Sequence, residues 1–137
     1  MRHRVFGRKL NRDIKERKAL FKSLILALIN YGKIQTTVAK GKAIHRLAEK
    51  MVTNAKSGSA SALSSVSSFL ARKSAVDKLI NEVVPRFKNT LGGYVRMRRL
   101  GKRRGDSSEK VVLEWSIEKE QLKKEKNEKE KNVKPKP

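Results

Sequence analysis

The chain has 137 residues, and its 35 Lys and Arg against 13 Asp and Glu give a formal net charge of +22 at pH 7. This length is enough for one ordinary domain, and such a charge is tolerated best when the partner is a polyanion. Cysteine is absent, which excludes disulfides, thiolate metal sites and a cysteine nucleophile. The longest apolar run, Leu24 to Ile29, is far shorter than the ~20 residues of a membrane-spanning helix, so we expect a soluble intracellular protein without a targeting segment.

Residues 1–12 contain no acid and few large apolar side chains, and Gly7 disfavours a helix in this segment. The cations of the segment are Arg2, Arg4, Arg8, Lys9 and Arg12. We predict an extended basic arm, which at this length can reach ~30 Å from the domain. The alternative is a disordered terminus, but the absence of acids favours the arm.

The first predicted helix begins at Asp13, which is spaced from Glu16 as in a capping box. It continues to Tyr31 and ends at Gly32, the usual residue for a left-handed helix end. Its second half is apolar on all sides, which indicates that more than one neighbour buries it.

A short β-prone segment, residues 33–37, separates this helix from a second one. Thr37 is predicted to cap the second helix, Val38 to Ala55, which has the strongest helical periodicity in the chain. Its polar face is almost entirely basic, with Lys40, Lys42, Arg46, Lys50 and Lys56. Such a face is either solvated or in contact with phosphate, and the sequence leaves both alternatives open.

The middle of the chain reads as a linker followed by short helices. Residues 57–68 are rich in Ser, Ala and Gly, which predicts a linker and a helix of low propensity. Ser74 and Asp77 have the spacing of another capping box, whose helix should end at Pro85. Gly92-Gly93 then indicates a turn.

After this turn the apolar period becomes alternating. Tyr94 to Leu100 and Lys110 to Ile117 are predicted strands of an antiparallel hairpin with a long basic tip. Alternation directs Val95 and Met97 inward. The outward side chains are then Tyr94, Arg96 and Arg98, with Arg99 on the other face. Residues 94–105 carry six cations and no acid, namely Arg96, Arg98, Arg99, Lys102, Arg103 and Arg104.

The last twenty residues, 118–137, are a Lys/Glu repeat that cannot bury enough apolar surface to fold alone. We expect a disordered or solvated-helix tail. Its eight Lys and five Glu contribute only +3, so residues 1–117 carry +19 of the charge. The predicted division is therefore an arm at 1–12, a globular domain at 13–117 and a charged tail at 118–137.

Arginine supplies nine of the eleven cations in the arm and the hairpin. Its planar fork can donate two parallel hydrogen bonds to a phosphate and can stack on bases. Phe6 and Tyr94 are the aromatic residues inside these basic clusters, where either could stack on a base. The other aromatics fall mostly at core positions, and they are Phe21, Tyr31, Phe69, Phe87 and Trp115. Because no exposed aromatic platform is visible, folded or double-stranded RNA fits better than sequence readout of a single strand.

Catalysis has little support in this sequence. The only imidazoles are His3 and His45, and without Cys neither belongs to a metal-ligating set. Glycine-rich nucleotide-binding motifs and a nucleophile elbow are also missing. We expect no enzymatic activity, no metal or other cofactor and no small-molecule substrate.

Several motifs, in order along residues 1–117, resemble the bacterial large-subunit (50S) ribosomal protein seventeen family. They are Met1-Arg2-His3-Arg4, Gly7-Arg8-Lys9-Leu10-Asn11-Arg12, Lys33-Ile34-Gln35-Thr36-Thr37, Pro85-Arg86-Phe87, Gly92-Gly93-Tyr94 and Arg104-Gly105-Asp106. The resemblance implies a single small α+β domain in which about four helices pack on a small three-stranded mixed sheet, with residues 34–37 as the third strand. Val95 departs from the family, which more often has Thr there, and Val38 departs where Pro is common.

The resemblance also implies a partner and a site. The partner would be large-subunit ribosomal RNA near the peptide exit region, with neighbouring ribosomal proteins as further contacts, in the cytoplasm and not at a membrane. The arm residues that carry over are Arg2, His3, Arg4, Arg8, Lys9 and Arg12. The hairpin residues that carry over are Arg96, Arg98, Arg99, Arg103 and Arg104. To these the residues of the cluster themselves add Lys102, for its charge, and Tyr94, as an aromatic that could stack on a base.

The sequence thus predicts a structural, RNA-binding ribosomal protein that supports translation. An architectural DNA-binding protein would share the charge, but no helix-turn-helix signature or dimer-forming heptad run is present. An enzyme of ribosomal RNA processing is a more remote alternative, because acid and base candidates are missing.

Overall fold

The computed structural model describes residues 7–116, which form four α-helices and three β-strands in this part of the chain. The helices are α1 (Ile14–Tyr31), α2 (Val38–Ser57), α3 (Ala60–Leu70) and α4 (Lys73–Lys78), and the strands are β1 (Lys33–Thr37), β2 (Val95–Lys102) and β3 (Glu109–Trp115). This confirms the predicted α+β class. The predictions for Arg2, His3 and Arg4, for Ile117 and for the tail lie outside the described residues.

Helix α1 has the ends that its sequence predicts. The Asp13 backbone N–H donates to the Glu16 carboxylate at 3.4 Å, which is the reach-back half of a capping box. At the other end Gly32 adopts a φ of 75° and donates its N–H to the Leu28 carbonyl at 2.9 Å. The buried residues of α1 are Ile25, Leu26, Leu28 and Ile29, all in the half that is apolar on every side.

The sheet has the strand order β1-β3-β2, and both pairings are antiparallel. The β-prone segment after α1 is therefore a true strand, pairing Ile34 with Leu113. The prediction of a mixed sheet is wrong. Strands β1 and β2 do run in the same direction, but β3 separates them, so no parallel ladder forms between them. Helices cover one face of this sheet, and no helix or strand within residues 7–116 covers the other, which we call the open face.

Helix α2 packs directly on the covered face of the sheet. Gly41 is buried at this contact, where a Cβ atom would lie only 2.8 Å from Cγ2 of Val111. Close approach at Gly41 lets the rest of α2 bury its apolar stripe, which comprises Ile44, Ala48, Met51, Val52 and Ala55.

Two α2 side chains also bond the edge of β2. The His45 Nε2–H donates to the Val95 carbonyl at 3.0 Å, and the Glu49 carboxylate accepts the Val95 N–H at 2.8 Å. Both backbone groups of Val95 on the unpaired side of the edge strand thus have partners, as buried polar groups require. These bonds fix the root of the β2–β3 hairpin to α2.

The segment between α2 and β2 differs from its predicted outline. Helix α4 begins after Arg72, so Ser74 lies inside its first turn and the second capping box does not form. The chain then remains helical through a π turn (Leu79–Val83) and a 3₁₀ turn (Val84–Phe87), two residues beyond Pro85. Pro85 stands in the first turn of the 3₁₀ segment, directly after the π turn in which the Val84 N–H donates to the Leu79 carbonyl.

Candidate nucleic-acid interface

The open face of the sheet is basic. Strand alternation directs Lys33 of β1 and Arg96 and Arg98 of β2 away from the helices, and all three side chains are exposed. On β3, Glu114 faces the same way and pairs with Arg98 at 3.6 Å. The helix-facing side chains of β3, Val111, Leu113 and Trp115, are buried. The sheet therefore presents cations from a rigid backbone.

The hairpin continues past this face to an exposed basic tip. A bulge at Leu100 shifts the register between Arg99 and Gly101, beyond which Lys102 ends β2. All six predicted hairpin cations are exposed. The outward placement predicted for Arg96 and Arg98 is confirmed, whereas Arg99, predicted on the opposite face, is exposed as well. Contact of these six cations with RNA stays a prediction.

Asp106 closes the tip of the hairpin. It accepts a hydrogen bond from Nε of Arg103 at 3.1 Å and a second from the same guanidinium. The Ser108 backbone N–H and hydroxyl also donate to it, at 3.2 Å and 3.0 Å. The Arg103 bond, followed by the Ser108 N–H, holds the pKa of the Asp106 carboxyl well below its usual range. The tip thus has a fixed turn, in which Arg103 is held in one orientation.

Tyr94 does not belong to the exposed surface. Its ring is 2% exposed, with its centroid 5.2 Å from that of Phe87, and its hydroxyl donates to the Thr90 carbonyl at 3.2 Å. The prediction that Tyr94 faces outward is wrong, because it precedes β2 and follows a left-handed turn at Gly93, where φ is 73°. Strand alternation therefore does not extend to residue 94, and its buried ring is not accessible to a base.

Tyr31 was predicted to be buried and is exposed, the opposite of Tyr94. We expected a core position, yet its side chain is 77% exposed at the last residue of α1. It lies two residues before Lys33, the first residue of β1. The helical stripe of α1 ends before this residue, so the other residues of the range 7–116 leave its ring largely uncovered. The other predicted core aromatics near the sheet, Phe87 and Trp115, are buried.

The described part of the arm is exposed but turned. Arg8, Lys9 and Arg12 are all exposed, as expected. Leu10 and Asn11 have positive φ values of 55° and 51°, and the Arg12 N–H donates to the Lys9 carbonyl at 3.2 Å. Residues 9–12 therefore form a turn, and the prediction of an extended chain does not hold there.

The packing of α1 on α2 creates a further basic surface that the sequence did not reveal. We call it the α1/α2 groove. Its cations are Arg8, Arg17, Lys42, Arg46 and Lys50, and its apolar lining residues are Phe21, Ala43 and Leu47. The basic face of α2 was visible in the sequence, but nothing local to Arg17 indicates that it lies opposite this face.

No cluster of three or more potential metal ligands (His, Cys, Asp, Glu) occurs within residues 7–116. Over the same residues, no helix is long and apolar enough to cross a membrane. His45, one of the two imidazoles in the sequence, bonds the β2 backbone and is not grouped with acids into a site.

A family model and several related proteins of known sequence all match this chain and carry the same family name. The family model described as ribosomal protein L17 matches residues 20–116. A protein named large ribosomal subunit protein bL17 from Thermodesulfovibrio yellowstonii is 45% identical over 115 residues, which cover 84% of this chain and 86% of the relative. Proteins of the same name from Dictyoglomus turgidum and Helicobacter hepaticus are 43% and 46% identical, covering 84% and 83% of this chain and 99% and 98% of theirs.

Proposed function

Because the chain belongs to the ribosomal protein L17 family, whose members are structural proteins and not enzymes, we propose that it is a constituent of the large ribosomal subunit. Family membership is the observation that carries this proposal, since it spans nearly the whole described domain. The subunit also implies a cytoplasmic location and neighbouring ribosomal proteins as partners.

Within the subunit, the arm and the hairpin bind folded ribosomal RNA. The proposed contacts are Arg2, His3, Arg4, Arg8, Lys9 and Arg12 in the arm, and Arg96, Arg98, Arg99, Lys102, Arg103 and Arg104 in the hairpin. The exposure of the described members supports this assignment. Tyr94 is not included, because its ring is buried.

The mechanism is electrostatic and geometric. Each phosphate that a cation neutralises releases condensed counterions, which supplies affinity that falls steeply as salt rises. The guanidinium fork adds orientation, because it can donate two parallel hydrogen bonds to one phosphate. The hairpin meets the RNA with little loss of conformational entropy, since the bonds from His45 and Glu49 to Val95 hold its root on α2.

Sedimentation of the full chain in a bacterial lysate through a sucrose gradient tests the proposal. We expect comigration with the large subunit that survives a high-salt wash, because an assembled subunit holds the chain by its shape as well as by the salt-sensitive phosphate contacts. A chain that remains at the top of the gradient would contradict it.

A competition experiment separates RNA from the DNA-binding alternative. At fixed salt, a folded ribosomal RNA fragment should displace the protein from duplex DNA of equal length, and binding to the RNA should weaken steeply as salt is raised. Preference for the duplex DNA would favour an architectural DNA-binding protein.

A further inference from the structure

The α1/α2 groove is a third basic surface, in addition to the arm and the hairpin, and it lies where α2 faces the start of α1. It has a volume of about 710 Å³, within the usual range of ligand-binding clefts. Arg17 contributes from α1, and Lys42 and Lys50 contribute from α2, two turns apart on one helix face. Arg8 lies at the same groove, so the base of the arm ends there.

The charges of the groove have one sign. Its lining residues within the described part of the chain include five cations and no carboxylate. The three ion pairs found among residues 7–116 are Lys78–Glu82, Arg98–Glu114 and Arg103–Asp106, and none of them involves Arg17, Lys42 or Lys50. Cations gathered in this way repel one another, and a bound polyanion would remove the repulsion.

The floor of the groove is apolar. Phe21 and Leu47 are half-buried side chains that pack on the core and still line the groove, and Ala43 of α2 lines it with them. A regular RNA duplex would offer this floor only phosphates and sugars, because its bases are stacked inside. An unpaired nucleotide offers both a planar base for an aromatic ring and phosphates for the cations around it.

We propose that the α1/α2 groove binds an unpaired nucleotide of the ribosomal RNA. The base or ribose lies against Phe21 and Leu47, and the flanking phosphates pair with Arg17, Lys42 and Lys50. This inference rests on the proposed function, and it adds a contact that neither the arm nor the hairpin supplies. An acidic protein segment is a weaker fit, because it offers the aromatic floor no planar ring beside its charges.

A salt titration with matched variants tests the phosphate contacts. The groove variant is Arg17→Gln/Lys42→Gln/Lys50→Gln, and the control is Arg86→Gln/Lys15→Gln/Lys88→Gln, which removes one Arg and two Lys from exposed positions outside the groove. The full chains are titrated with protein-free large-subunit ribosomal RNA from a bacterium. We expect the slope of log affinity against log salt to become shallower by about 2 for the groove variant, since each phosphate contact on a single strand contributes ~0.7. The control should keep the wild-type slope.

The outcomes separate the two proposals. If the groove variant and the control have the same slope while the wild-type chain binds with steep salt dependence, the groove does not hold RNA phosphates and the function stands. If the wild-type chain shows no salt-dependent binding, the proposed function itself fails. If the groove variant keeps its RNA slope but loses a protein neighbour from the reconstituted subunit, the occupant is an acidic protein segment.

The base contact has its own test. Phe21→Leu keeps most of the apolar volume and removes the ring, and we expect RNA affinity to fall about tenfold from lost stacking. Phe69→Leu is the matched control, because Phe69 is also half-buried against the core but does not line the groove. An unchanged affinity for Phe21→Leu, or an equal loss in both variants, would overturn the base contact.

Discussion

At the scale of single residues, the hairpin tip shows how one acid organises a basic surface. Asp106 takes hydrogen bonds from the Arg103 guanidinium and from the backbone and hydroxyl of Ser108, at the point where the chain reverses. Since Ser107 has a positive φ of 51°, this turn is one that a side-chain acceptor helps to stabilise. Asp106 thus stabilises the turn, and its negative charge lowers the net positive charge of the tip by one unit.

The pKa of Asp106 provides a direct check of this contact. The pKa of Asp106 is lowered in the folded state, mainly by the Arg103 hydrogen bond. The stabilisation from this contact is therefore fully present above the ordinary aspartate pKa of about 3.9, and it is lost as the pH falls from there through the lower folded-state pKa. We expect the carboxyl to remain ionised at about pH 3 in an NMR titration. In Arg103→Ala the midpoint should move up toward the ordinary value. A midpoint that is unchanged by Arg103→Ala would contradict the assignment.

At the scale of elements, the fit of α2 on the sheet depends on the absence of one side chain. Gly41 lies inside a helix, where glycine is ordinarily less favourable than alanine by about 1 kcal/mol. Here a Cβ would approach Val111 Cγ2 to 2.8 Å and the Met97 sulfur to 3.4 Å. This steric clash opposes the helical preference for alanine over glycine. The clash is the larger effect, because Val111 and Met97 both belong to the packed face of the sheet.

Gly41→Ala should therefore lower the free energy of unfolding by about 1–3 kcal/mol, as overpacked cores do. Chemical denaturation measures this change. Gly92→Ala is the control, since no atom of residues 7–116 lies within 4 Å of a Cβ at that position, and it should leave stability nearly unchanged. A Gly41→Ala protein as stable as the parent would contradict this, because α2 would then shift away from β3 without a decrease in the free energy of unfolding.

The bond from Glu49 to β2 permits a second test at this scale. Glu49→Ala leaves the Val95 N–H without its acceptor, which should cost about 1–3 kcal/mol in a denaturant titration. Glu49→Gln retains an acceptor oxygen and should lose much less. The Val95 amide hydrogen should exchange faster with solvent in Glu49→Ala but not in Glu49→Gln. Equal stability of the two variants would indicate that water replaces the carboxylate.

At the scale of the whole molecule, the charge is distributed over three basic surfaces: the arm, the hairpin with its sheet face, and the α1/α2 groove. The ion pairs among residues 7–116 are all partly solvent-exposed and contribute little. The isolated protein is thus under mutual repulsion that its RNA partner would relieve.

Added salt should therefore stabilise the isolated protein. Screening shortens the range of repulsion from about 30 Å at 0.01 M to about 8 Å at 0.15 M ionic strength. We expect the melting temperature to rise by about 4 °C for each 1 kcal/mol of repulsion relieved, as measured by calorimetry over this range. A melting temperature that falls with NaCl would mean that the attractive pairs outweigh the repulsive ones.

Much of the fold could be predicted locally. The caps at Asp13 and Gly32, the stripe of α2 and the alternation of β3 each depend on residues a few positions apart, and all are present in the structure. The exposure of Arg96 and Arg98 follows from the same alternation, whereas that of Arg99, which pairs with the buried Val111, does not. Predictions were wrong where local signals conflicted with packing, as at Ser74, which has a capping pattern but lies one position inside the helix that forms.

The sequence by itself determined the class of partner and two of the basic surfaces, because charge and short-range periodicity are properties of neighbouring residues. Only the tertiary structure decided three further features. It pairs β1 with β3, it turns Tyr94 into the core beside Phe87, and it brings Arg17 to the basic face of α2. Each of these depends on contacts between residues distant in the chain, whose free energy comes from burying shared apolar surface and not from any local pattern.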